Sequence, residues 1–193
     1  MAASNSLPKS DSPELHLVVA TSEEAVEQQH ANSVEWRGAL SLPAYLRREE
    51  VLADQALTRD EGLTVWVLVY QPAGSDESDR QVLCGCETIK KRGFVASNGV
   101  VEAVTAHGVC SVFCPAKHRG KGYAGRMMAE LGDRLKTWQS QGRNNLFSVL
   151  YSDIGKVCPC HFSHCLIVNQ AHRLKGLLCC KRLEGLPVLP HFR

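Results

Sequence analysis

Charge of one sign is in short supply in this chain: 22 Lys and Arg stand against 20 Asp and Glu, leaving +2 over 193 residues. No basic surface follows from that balance, so nucleic acid is not an expected partner. Long apolar runs are scarce too. The longest, Leu63 to Tyr70, has eight residues, far below the ~20 that cross a bilayer as a helix, so no membrane partner is expected either. The opening MAASNSLPKSDSPE has no apolar run of the kind a secretory leader needs. A cytoplasmic location is therefore expected, and disulfides are not, although cysteine is abundant at nine residues. There is no internal repeat, and the length suits one domain of ordinary size with ragged ends.

The period of the apolar residues predicts the elements. Residues 1–14, rich in Ser, Pro, Asn and Asp, read as a disordered tail. Leu15 to Ala20 reads as a strand, and Thr21 with Glu24 is a capping-box pattern that starts a helix to about His30. Ser41 and Pro43 start a second helix, with Leu42, Tyr45, Leu46 and Leu52 on its apolar side, to about Leu57. Leu63 to Tyr70 and Gln81 to Lys90 alternate as strands and should pair as a hairpin. Val100 to Val104 reads as an added edge strand and His107 to Phe113 as a further strand. Gly120 to Trp138 carries Met127, Met128, Leu131 and Leu135 at helical spacing, and Leu146 to Tyr151 returns to strand. The expected class is α/β, with one strand feeding a helix through a glycine-rich turn.

That turn is the most informative segment. In GVCSVFCPAKHRGKGYAGRMM, a strand breaks at Pro115 and a helix follows three closely spaced glycines. Arg119, Gly122 and Ala124 fit R/Q-x-x-G-x-G/A. A pyrophosphate needs backbone N–H groups converging with no Cβ in the way, and a helix N-terminus supplies the donors together with a partial positive charge. Gly120 and Gly122 clear the approach, and Arg119 and Lys121 add charge. The strand that ends in Ser111, Val112 and Phe113 could pair its backbone with an amide-bearing arm. A ligand with both amides and a pyrophosphate is coenzyme A.

The segment resembles motif A of the GNAT superfamily. Together with WRGALSLPAYLRREEVLADQALTRD, WVLVY, CETIKKR and LFSVLYSDIGK it is similar to the fungal lysine N-acetyltransferase-like family, over about Leu15 to Lys156. The resemblance implies a GNAT acyl-CoA N-acyltransferase fold, a mixed, mainly antiparallel sheet flanked by helices, in a domain spanning 15–156. It implies acetyl-CoA as co-substrate, no metal, and a small-molecule amine acceptor such as lysine. It further implies that Ser111, Val112 and Phe113 face the pantetheine arm and acetyl group, that Arg119, Gly120, Lys121, Gly122, Tyr123 and Ala124 cradle the pyrophosphate, and that Ser152 stands where many members carry an Asn toward the pantetheine.

Acetyl transfer needs a route for the ammonium proton, because only the neutral amine attacks. Glu87, Glu102 and His107 lie on strands near the expected site, and Glu87 and His107 are the chosen catalytic candidates. Trp66, in an apolar strand, is expected in the core, and Cys84, Cys86, Cys110 and Cys114 are expected as strand thiols without a metal.

Residues 157–193 depart from the resemblance. They hold five of the nine cysteines and four of the eight histidines and lack the aromatic pair, ending in Tyr, that should follow. The fold is therefore expected to be incomplete at this end, and the segment poorly ordered. Two alternatives stay open: a domain that binds acetyl-CoA without turnover, and a zinc-dependent interaction module using Cys158, Cys160, His161, His164 and Cys165, whose spacing is tighter than paired zinc knuckles. The segment also reads as a translated intron. Val157-Cys158 can be encoded as a 5′ splice site, Ala171-His172 as a branch point, and Lys175-Gly176 as an acceptor one base into the glycine codon. The excised length is not divisible by three, and in the shifted frame GLLCCKRLEGLPVLPHFR can be read as GFYAAKGWKVFPSSHIS, which would supply the missing Tyr.

Overall fold

The computed structural model describes residues 7–97, 99–140, 145–152, 165–169 and 178–179. In chain order these form β1 (Leu15–Val19), α1 (Ser22–Trp36), α2 (Leu42–Ala53), β2 (Leu63–Tyr70), β3 (Gln81–Ser97), β4 (Val100–Phe113), α3 (Tyr123–Leu135), β5 (Asn145–Ser152), β6 (Cys165–Asn169) and β7 (Leu178–Cys179). One sheet takes the strands in sequence order. All neighbours run antiparallel except β4 with β5 and β5 with β6. The parallel β4/β5 pair requires a crossover, and α3 supplies it. This mixed, mainly antiparallel sheet with helices on both faces is the arrangement the GNAT resemblance implies.

Strand alternation sorts the side chains into two layers. Trp66 and Leu68 of β2, with Cys84 and Cys86 of β3, pack against Met127 and Leu131 of α3. Trp66 is buried as expected, and its indole N–H donates to Thr88 Oγ1 at 2.9 Å. Val67 and Val69 point the other way and meet Val82. On that second face a Cβ placed on Gly85 would meet Gln28 of α1.

Local rules explain most boundaries. Thr21 and Glu24 exchange both hydrogen bonds of the capping box, and Ser41 caps α2 ahead of Pro43. α1 runs on to Trp36, past the expected His30, and α2 stops at Ala53 rather than near Leu57. Val100 to Val104 is not a separate edge strand. It continues without a break through Thr105 and Ala106 into β4, paired with β3 down to Ser97 opposite Val100, because nothing in that stretch is a turn residue. α3 begins at Tyr123, later than expected, since Gly120 and Gly122 take left-handed φ values of 75° and 83°.

The N-terminal residues differ more. The part of the expected tail that is described, 7–14, lies along α3: Tyr123 Oη donates to the carbonyl of Pro8, and Arg126 donates to the carbonyls of Ser10, at 2.9 Å, and Ser12. Composition cannot show this, because the ordering donors belong to α3. Of residues 157–193, the strands β6 and β7 are described and the remainder lies outside the described residues.

Candidate functional site

β4 and β5 pair from Thr105 with Asn145 to Val109 with Leu150, and no pairing is recorded beyond that point among the described residues. β4 itself continues to Phe113 against β3. Cys110 stands opposite Glu87 and Phe113 opposite Gly85, so β4 holds one residue more than β3 across this interval. Ser111 absorbs the surplus with φ of 52°, a bulge that re-aims the strand. The backbone of Ser111, Val112 and Phe113 therefore stands at a parting of two strands, where an extended ligand could pair with it.

Past Phe113 the chain turns at Pro115 through a short 3-10 turn, Ala116–His118. Arg119 is held at the turn: Nε donates to the carbonyl of Cys114 at 2.9 Å, Nη2 meets Glu35 at 3.0 Å, and its guanidinium lies over the Phe113 ring. Gly122 is the N-cap of α3 and brings no side chain to the first N–H groups, which are orphans of the helix and point outward. Gly120 and Lys121 are exposed. Tyr123 has its ring in the core, so its backbone N–H is what it can offer to an anion, as with Ala124 after it. Ser152 is the last residue of β5 and pairs with Asn169 of β6.

Glu87 faces the parting. Its Oε2 accepts from Ser111 Oγ at 2.6 Å, with Cys110 Sγ at 3.8 Å. Burial pushes its carboxyl above the ordinary carboxylate range; the Ser111 hydrogen bond opposes the shift, and the nearby Glu49 reinforces it. His107 is elsewhere. Three residues before Cys110 along β4, it projects from the other face of the sheet, where Nε2 lies 3.4 Å from Gln139 Oε1 and Nδ1 has no partner. Burial holds its pKa below the usual imidazole value. The structure does not bring His107 and Glu87 together. Glu102 is exposed on the hairpin arm, opposite Val95.

Sequence reasoning passed over Tyr45, read only as part of the apolar side of α2. It is 2% exposed, yet its hydroxyl donates to Asn32 Oδ1 at 2.7 Å, and beside it Arg48 grips Glu49 through Nε and Nη2. The helical spacing of Tyr45 with Arg48 and Glu49 was the available signal. A cleft of about 510 Å³ is lined by Ala20, Thr64, Val65, Trp138 and Gln139, among others, and its Val65 stands opposite Glu87 in the β2/β3 pair. Among the described residues no group of three or more His, Cys, Asp or Glu could hold a metal, and no helix is long and apolar enough to cross a membrane. Of the proposed zinc cluster, Cys158, Cys160, His161 and His164 lie outside the described residues.

No protein-family model matches the chain. It is 29% identical over 150 residues to uncharacterized protein YGR111W of Saccharomyces cerevisiae, covering 65% of this chain and 38% of that one. It is 26% identical over 118 residues to a lysine acetyltransferase of Yarrowia lipolytica, covering 61% of this chain and 28% of that one. The chain thus spans well under half the length of either relative. Among solved structures, a predicted acetyltransferase with acetyl-CoA from Clostridium acetobutylicum superposes with a TM-score of 0.47 at 10% identity, covering 74% of this chain and 84% of that one. A transcriptional regulator from Bacillus halodurans gives 0.48 at 11% identity, covering 72% and 82%. The strand parting, the bulge and the glycine turn all fall between Val109 and Gly122.

Proposed function

We propose that this chain carries an N-acetyltransferase site in which acetyl-CoA lies along the parting of β4 and β5 and a small primary amine, of which free lysine is the type, approaches from the α1/α2 side. One observation carries the reading: past Val109 β4 parts from β5, bulges at Ser111 and leads through the turn at Pro115 into the glycines that precede the N-terminus of α3, which no side chain caps. The backbone of Ser111 to Phe113 would pair with the amides of the pantetheine arm. The N–H groups of the turn from Gly120 to Ala124, with Arg119 and Lys121, would hold the pyrophosphate, and Ser152 would stand on the far strand.

Glu87 would take the amine proton. Its raised pKa makes it a stronger base than an ordinary carboxylate. Glu87 takes one proton from the ammonium, the neutral nitrogen attacks the thioester carbon, the C–S bond breaks, and the second proton passes from the new amide nitrogen to the departing thiolate, which leaves as free thiol. His107 faces the other layer and has no part in this step.

Isothermal titration with acetyl-CoA tests the cofactor reading, and release of free thiol with lysine as acceptor tests turnover. Binding without thiol release would favour a domain that holds CoA without transferring from it. An amine panel assayed the same way tests the acceptor: turnover of a histone-like peptide with none of lysine would overturn the small-amine reading. The tail belongs to the same proposal. Codons that encode the residues after Lys175 can, in the shifted frame, give an aromatic pair and a Gly-Trp step, and this supports an intron origin for the segment from Val157. Sequencing the transcript decides it, and a major transcript that retains the segment would defeat the idea.

A further inference from the structure

Helix α1 wears its amphipathicity inside out. The residues it buries are Gln28, Asn32 and Ser33, whereas Val26 and Val34 are 49% and 72% exposed. Glu24, Gln28 and Asn32 recur at four-residue spacing and so share one stripe. The stripe faces the sheet. Glu24 is answered by Arg80, and Asn32 accepts from Tyr45. Gln28 is the exception: at 4% exposure, neither Oε1 nor Nε2 has a hydrogen-bond partner. A buried amide left unmatched lowers stability and calls for a reason.

Its position supplies one. The carboxamide lies on Gly85, where a Cβ would stand 2.7 Å from both Cδ and Nε2. Glycine weakens a strand interior, yet here it clears the space the amide occupies. Glu87 is two residues along on the same face, roughly 6.6 Å away by strand rise. Phe113 is opposite Gly85, and Trp36 meets its ring edge-on at 5.8 Å. An amide oxygen, a basic carboxylate and two aromatic rings thus surround one place. The charged groups near it are Glu49 and Arg48 of α2, paired with each other, and Arg119 over the Phe113 ring, paired with Glu35, so that these pairs offset one another beside Glu87.

We infer that Gln28 is an acceptor-binding residue: its amide oxygen accepts a hydrogen bond from a primary alkylammonium whose chain lies against Trp36 and Phe113, while Glu87 receives the proton. This rests on the acetyl-transfer reading of the site. No buried residue of α1 is apolar, so parting α1 from the sheet to admit a ligand exposes little hydrophobic surface.

The test is titration of n-butylamine and of free lysine into the full chain saturated with CoA, for wild type and for Gln28→Leu, with the melting temperature of each followed in parallel. Expected is a dissociation constant about tenfold weaker for both amines in Gln28→Leu, with acetyl-CoA affinity unchanged and a melting temperature equal to or above wild type. Amine affinity unchanged in Gln28→Leu overturns the inference, leaving the amide a structural orphan served by water. Failure of the wild type to bind either amine overturns it as well. Failure of acetyl-CoA to bind the wild type instead strikes the cofactor reading and is seen in a separate titration.

Discussion

Glu87 sits under opposing pressures from stability and chemistry, and the sign of each can be worked out. Its folded pKa is raised, so the stability it contributes is present in full below the ordinary carboxyl pKa and is lost as pH climbs through the raised folded value. Glu87→Gln removes that loss. At pH 7 the variant should melt higher than wild type while thiol release with an amine falls by about 10²- to 10⁴-fold, the usual worth of a general base. The wild-type rate should rise with pH through the same raised pKa, and that limb should vanish in the variant. Gly122 offers a second residue-level test. Its φ of 83° and the Ser10 hydroxyl 2.8 Å from any added Cβ make Gly122→Val a strained, intruding change, so acetyl-CoA binding should be abolished. Lys121→Ala should cost about 1 kcal/mol or less, since an exposed lysine is a poor fixed contact. Equal affinity in both variants would refute the site.

At the scale of elements, the legible parts of the sequence were those where local chemistry decides. The capping box at Thr21 and Glu24, the alternation of LTVWVLVY and the glycine turn before α3 all act over a few residues. What could not be read depends on partners far away in sequence. Counting along β4 cannot tell which face His107 takes until the bulge and the pairing with β3 are known, and the ordering of residues 7–14 comes from Tyr123 and Arg126. Tyr45 looked apolar because its partner Asn32 lies on another helix. Arg80 is another such link, tying the start of β3 to the head of α1 through Glu24, with bonds of 2.6 and 2.7 Å and side chains only 5% and 12% exposed. Arg80→Ala takes the ion pair from Glu24, leaving its carboxylate only the Thr21 backbone N–H, and should cost about 3 kcal/mol, read by denaturant unfolding. Arg80 holds the Glu24 carboxyl below its ordinary pKa. The stability from this pair is thus present above the ordinary carboxyl pKa and lost as pH falls toward the depressed one, and the variant should lose that part of the acid dependence.

For the molecule as a whole, the long β3/β4 hairpin also governs the order of assembly. Ser97 and Val100 are paired across its tip, whereas Leu15 must find Tyr70 to start the β1/β2 pair. Closing the short loop comes early because it gives up little chain entropy, and the distant pairing follows later. Refolding should therefore protect the amides of the hairpin before those of β1 in pulsed hydrogen exchange. The strap of residues 7–14, which leads into β1, can reach α3 only after that last strand arrives. A nascent chain would then carry a formed β4 and glycine turn while its N-terminal segment is still open to proteases, and protection of Ser10 and Ser12 from cleavage would report completion of the fold.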